Sequence, residues 1–226
     1  MNKASDMELQ LPALPRPTTV KEHVYRALRD QLTHGNLAPN QRIIEKDLTE
    51  QLGISRTPVR EALGRLANEG LLVATLRGYR VPEFTRQDMV NLSEIRLLLE
   101  PQAARQAAAN TGDAALDEMR SAIAEEVAAH ANADVNAFLK AHLHFRSAWM
   151  RRVSNPLLLE TLAKTMHSLQ LIRRWTMSDP VIRGVVIEAH RALLKAIEKH
   201  DPARAQSVQT QSIRKFKAHL LKKMRA

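Results

Sequence analysis

The sequence predicts a mainly α protein in two parts, an N-terminal winged helix-turn-helix followed by a C-terminal six-helix antiparallel bundle. Three observations point there. Between Ile44 and Gly78, two amphipathic segments meet at Gly53 and are followed by a stretch of alternating apolar and polar residues. Beyond Glu83 the alternation stops, and six Ala- and Leu-rich segments of helical period follow, separated by Asn, Asp, Gly and Pro. A hydrophobic content of 44% in 226 residues provides apolar surface for two cores.

Residues 1–17 carry Pro12, Pro15 and Pro17 in a polar setting and read as a disordered arm. The N-terminal part is bounded at 18–83. Thr18 or Thr19 can cap a helix whose inward positions are Val20, Val24, Ala27, Leu28, Gln31 and Leu32, ending at Gly35. Leu37 to Asn40 form a turn, and a short helix at about 45–52 turns Leu48 and Leu52 inward before Gly53 supplies a left-handed backbone. Ser55 opens the next helix, with Pro58 in the first turn, where no amide partner is lost, and with Val59, Leu63 and Leu66 facing the core. Leu71–Thr75 and Tyr79–Pro82 read as two strands of a hairpin turning at Arg77-Gly78. The remainder, 84–226, divides into helices at about 85–110, 113–131, 134–152, 156–178, 180–200 and 202–225, whose short connections imply antiparallel neighbours.

Composition removes several function classes. No cysteine is present, so disulfides, thiolate metal sites and cysteine nucleophiles are out. No apolar run reaches the roughly 18 residues needed to span a bilayer, and residues 1–10 are too polar for a signal peptide, so no membrane partner and a cytoplasmic location are expected. A glycine-rich phosphate loop, a zinc-protease helix motif and a nucleophile elbow are all missing, so no enzyme is expected. The formal charge of +10 suits a polyanionic partner, because clustered Lys and Arg release counterions from phosphates.

The second helix of a helix-turn-helix enters the major groove with its N-terminal end against base edges and phosphates. Arg56 and Arg60 stand four apart on one face, where a planar guanidinium can grip guanine or phosphate through two bonds. Ser55 and Thr57 add hydroxyls beside the positive helix end, and Lys46 and the wing pair Arg77-Gly78 can reach the flanking backbone. The competing reading is that the two arginines form a solvated face or pair with Glu61 and Glu69.

The stretch Ile44-Glu-Lys-Asp-Leu, then Leu52-Gly-Ile-Ser-Arg-Thr-Pro-Val-Arg-Glu-Ala-Leu63, then Glu69-Gly-Leu-Leu and Arg77-Gly resembles the N-terminal domain of GntR-type repressors. Pro39-Asn40 stands where that family usually has Pro-Gly, a mild change because Asn tolerates a left-handed backbone. Glu94-Ile-Arg96 to Glu100, Phe145 ten residues before Asn155-Pro, and Glu188-Ala-His190 followed by Asp201 resemble the all-helical effector domain of the FadR subgroup. The resemblance implies that Lys46, Ser55, Arg56, Thr57, Arg60, Arg77 and Gly78 meet DNA, and that 84–226 binds an effector and dimerises. It also implies a dimer on two half-sites of double-stranded operator DNA.

That subgroup commonly holds a divalent metal with an Asp and a His one helical turn apart and two later His. Counting back from Asn155, His142 stands at the Asp position and Arg146 at the first His position. Counting on from Asp201, Ser212 stands at the last, and His190 alone keeps the expected type. A guanidinium cannot ligate a metal, so no cofactor is expected. Instead Arg146, with Arg96, His142, His190 and Ser212, would receive a carboxylate or phosphate directly. Two alternatives stay open: Arg146 pairs with a buried Glu such as Glu100 or Glu188, or a metal survives on His142 and His190 with His144. The sequence thus predicts a ligand-responsive regulator, a repressor, with an all-α small-molecule-binding or interaction protein whose helix-turn-helix no longer reads DNA as the alternative.

Overall fold

The computed structural model describes residues 19–33, 37–110 and 115–224, so the expected arm at 1–17, Thr18, Gly35 and the 111–112 connection lie outside the described residues. The N-terminal part contains α1 (Val20–Thr33), β1 (Arg42–Ile43), α2 (Glu45–Leu52), α3 (Arg56–Asn68), β2 (Val73–Thr75) and β3 (Gly78–Arg80). Asn40 (φ 68°) and Gly53 (φ 64°) both take the left-handed backbone that their residue types favour. The two-stranded hairpin gains a third strand: β1 pairs antiparallel with β3, giving the order β1-β3-β2. Strand β2 also starts later than the alternation suggests, because Leu71 and Leu72 are buried in the core instead.

Leu28 and Leu32 of α1 pack with Val59, Leu63 and Leu66 of α3 under the sheet. Two expectations need correction. Leu52 is 45% exposed, since α2 covers the core through Leu48 alone. The buried stripe of α1 runs through Val24, Tyr25, Leu28 and Leu32 and leaves Val20, Ala27 and Gln31 outside, because Tyr25 turns inward to donate its hydroxyl to Glu69. This part packs on the helical domain mainly through α1 against α7.

The helical domain comprises α4 (Arg86–Ala109), α5 (Leu116–Ala131), α6 (Val135–Met150), α7 (Pro156–Met177), α8 (Pro180–Glu198) and α9 (Pro202–Lys223). Its starts are written in the chain. Thr85 and Asp88 cap α4 reciprocally, and Asp134, Asp179 and Asp201 each accept an amide at the start of α6, α8 and α9. Pro180 and Pro202 occupy first-turn positions, where a missing N–H costs nothing. The core gathers Ala103, Ala104 and Ala107 of α4, which let other helices approach closely, with Phe145 and Trp149 of α6 and Leu193 of α8. Pro101 lies inside α4 without ending it. Among the described residues, no helix is long and apolar enough to cross a membrane.

Candidate DNA interface and effector cavity

Ser55, Arg56, Thr57 and Arg60 all face solvent at the start of α3. Ser55 caps that helix in an extended conformation (φ −69°, ψ 161°) with its hydroxyl uncommitted to the cap. Arg56 makes no ion pair among the described residues, and Arg60 places Nε 3.1 Å from Glu45 of α2. Neither arginine pairs with Glu61 or Glu69, which engage Lys21 and Arg65 instead. The Arg60 side chain is 66% exposed, so its pair contributes about 0–1 kcal/mol and yields readily to a phosphate. Lys46 is similarly open, with Nζ 3.6 Å from Glu50.

The wing tip carries exposed Leu76 and Arg77. Gly78 has φ +109°, and a Cβ there would sit 2.7 Å from the Ile43 carbonyl oxygen, so the wing is locked against β1 by a position that only glycine fills. Strand β1 was invisible to sequence reading. It sets Arg42 directly opposite Arg80, and both are exposed, which adds two cations beside the wing.

The second site is a cavity between helices. Arg96 (α4), His142 and Arg146 (α6), His190 (α8) and Ser212 (α9), five residues expected to act together, line it side by side. Glu100 of α4 is wholly buried beside them, with Arg96 Nε 2.9 Å and Arg146 Nη2 3.3 Å from its Oε1, and Gln209 Nε2 donating to Oε2 at 2.6 Å. Burial raises the Glu100 carboxyl, but the Arg146 and Arg96 guanidiniums more than offset this and hold it below the usual carboxylate range. Glu188 pairs with Arg191 on the surface instead.

Arg173 of α7 lines the same cavity at 5% exposure. Burial, then the fields of Arg146 and Arg96, disfavour its charge. His142 is pushed well below the usual histidine value by burial, then by Arg173, His190, Arg146 and Arg96, so its imidazole is neutral at pH 7. His190 stacks on Phe145, with ring centres 3.9 Å apart, and turns Nδ1 toward Glu126 of α5, 2.9 and 3.0 Å from the two carboxylate oxygens.

Residues 20–78 match the family described as bacterial regulatory proteins, gntR family, and residues 91–215 match the FCD domain. The chain belongs to the GntR family. McbR of Escherichia coli (strain K12), an HTH-type transcriptional regulator, is 35% identical over 136 residues, which is 60% of this chain and 62% of that protein. The solved E. coli McbR/YncC structure superposes with a TM-score of 0.76 at 27% identity, covering 92% of this chain and 99% of that one. A probable D-xylose utilization operon transcriptional repressor of Paenarthrobacter nicotinovorans is 30% identical over 197 residues, 87% of this chain and 86% of that protein. A GntR regulator from Rhodococcus sp. RHA1 shares the fold, with a TM-score of 0.76, 22% identity, and coverage of 89% of this chain and 97% of that one. The GntR protein described here is accordingly a transcription regulator and not an enzyme.

In this GntR chain sequence reading missed Arg173, Gln209 and Glu126, and Glu126 bears on the metal that the FadR resemblance implies. Arg146 and Ser212 spoil the implied four-ligand set. His144 does not replace them, because it points at Glu118 and Glu125 on the outside. Glu126, His142 and His190 nevertheless bring one ligand atom each within 4.8 Å of the others. Glu126 Oε1 and His142 Nδ1 are buried without a hydrogen-bond partner. One carboxylate and two imidazoles fit a divalent cation in donor type and spacing, while the neighbouring guanidiniums oppose its charge.

Proposed function

We propose that this regulator is a ligand-responsive repressor that binds operator DNA as a dimer through Arg56 and Arg60 and senses a small organic acid in the helical cavity. The observation that carries the sensing part is Arg146. It is 8% exposed, and its Nη2, although near Glu100, has no aligned hydrogen-bond partner. A guanidinium stays charged when buried, so an incoming carboxylate would gain a charge-assisted bond there. Arg96, His142, His190 and Ser212 supply further contacts on the same cavity wall. The Paenarthrobacter relative, named as a repressor of a D-xylose utilization operon, supports repression.

Dimerisation is supported by Ile95 and Leu98, three residues apart on α4 and 43% and 73% exposed, an apolar stripe that a second copy would cover. Two recognition helices would then meet half-sites about one DNA turn apart. Ligand would change operator affinity by the difference in its own affinity for the two arrangements of the heads. Calorimetry of the purified protein with organic acids, with and without chelator, tests the reading: equal binding in both supports direct recognition, and strict dependence on added zinc or nickel refutes it.

A second reading has its own observation. Glu126, His142 and His190 would hold a divalent cation that polarises an acid ligand in the cavity. The same chelator comparison, read as metal content of the purified protein, separates the two.

A further inference from the structure

We propose that the effector is a carboxylic acid with a hydrocarbon tail, because the cavity is polar at one end and apolar at the other. This deepens the acid-sensing reading and rests on it. Helices α8 and α9 pack side by side and set the direction. His219 of α9 meets Asp179, the residue that caps α8, at 3.1 Å, so the late turns of α9 lie level with the first turn of α8. Phe216 and Ile182, each one turn from that pair, therefore line the cavity at one height. Gln209 and His190 stand about 10–12 Å further along their helices.

The end beside that ion pair is hydrocarbon. Ile182 and Val186 of α8 and Met177 of α7 belong to one buried cluster, and Phe216 packs against it. All four line the cavity, and none has a side-chain hydrogen-bond donor. The far end is polar. Arg96, Arg146 and Gln209 gather on Glu100 there, with Ser212 of α9 beside them, and His190 engages Glu126. The two wholly buried carboxylates thus both stand at this end. Arg173, one turn before Met177, lies within the fields of Arg146, Arg96 and Glu100 and belongs with the polar side. Arg96 marks the boundary, with its guanidinium 5.5 Å from the centre of the Phe216 ring.

A carboxylate belongs at the Arg146 end, where guanidinium and amide donors can form charge-assisted bonds with it. A hydroxyl or second acid group carried to the Met177 end would lose water with no side chain of that wall to receive it, whereas each methylene placed there leaves water for apolar contact. The ligand class is therefore a monocarboxylic acid with an unsubstituted chain of a few carbons.

Calorimetry on the full chain as purified, at pH 7.5, with acetate, pentanoate, 5-hydroxypentanoate and glutarate as probes, tests this. Pentanoate should bind about tenfold or more tightly than each of the other three. V186T, which puts a hydroxyl on the apolar wall, should cut the pentanoate-to-acetate ratio about threefold or more and leave acetate nearly unchanged. A wild-type advantage of pentanoate below about threefold in any of the three comparisons overturns the proposal, whether or not the variant folds. An unchanged ratio in a folded V186T protein overturns it too. Binding of glutarate without pentanoate sinks the hydrocarbon tail and leaves acid sensing standing, whereas failure of all four probes to bind overturns the acid-sensing reading itself.

Discussion

Arg146 of α6 sits 3.3 Å from Glu100 of α4, and both side chains are buried. Of the alternatives the sequence leaves open for Arg146, pairing with a buried Glu is the one the structure shows, with Glu100 and not Glu188 as the partner. Glu100 answers part of its charge, and the pairing leaves Nη2 out of hydrogen-bond alignment. The buried guanidinium thus comes with a carboxylate on a neighbouring helix that makes its burial tolerable, as buried ionic groups require.

Removing that carboxylate should be costly. Glu100→Ala leaves Arg96 and Arg146 without their counter-charge in a dry site, and a loss of about 3–5 kcal/mol is expected in urea or thermal unfolding. Sulfate should restore part of the stability by taking the vacated place. A variant as stable as the wild type would mean that the guanidiniums have escaped to solvent.

Arg56→Ala should lower operator affinity by about 1–3 kcal/mol in a gel shift, with thermal stability unchanged, because Arg56 is exposed and makes no ion pair among the described residues. Unaltered affinity would remove α3 from the DNA.

Gly78→Ala should lose about 1–3 kcal/mol of stability and weaken DNA binding as well. The new Cβ meets backbone at the Ile43 carbonyl, and the left-handed φ is strained for any L side chain. Melting curves and gel shifts on one preparation check both effects, and normal behaviour in each would show that the wing is free of β1.

Acid should destabilise the fold through His142. Its folded value is depressed, so the stabilisation is complete above the unfolded value of 6.5 and is lost as pH falls below it, where the unfolded chain takes up a proton that the native state refuses. Glu100, also depressed, continues the loss in the same direction at lower pH, below its ordinary 4.5. The melting temperature should fall between about pH 7 and 5, and His142→Gln should flatten that slope. Identical profiles for the two proteins would exclude His142 as the cause.

Features determined by near neighbours were legible in the sequence. Gly53 and Asn40 take the backbone their chemistry favours, the caps at Asp134, Asp179 and Asp201 lie where acid precedes helix, and all six C-terminal helices fall within a few residues of expectation. What sequence reading missed depends on distant partners. Strand β1 is two residues long, too short to show a period, and exists because Ile43 pairs with Tyr79. Tyr25 displaces Ala27 from the buried stripe of α1 because Glu69 is there to receive its hydroxyl. Arg173 has another arginine as its neighbour and Glu126 another glutamate, so composition alone singles out neither Arg173, which lines the cavity, nor Glu126, which meets His190. The helix faces decide that, and they are fixed by packing among six helices.

Pro101 follows Glu100 within α4, and its ring nitrogen carries no hydrogen for the carbonyl one turn earlier. The rod that leads from the wing into the helical domain thus has a rung missing next to the carboxylate that the guanidiniums hold. A helix short of one such bond resists bending less at that point than an unbroken one would.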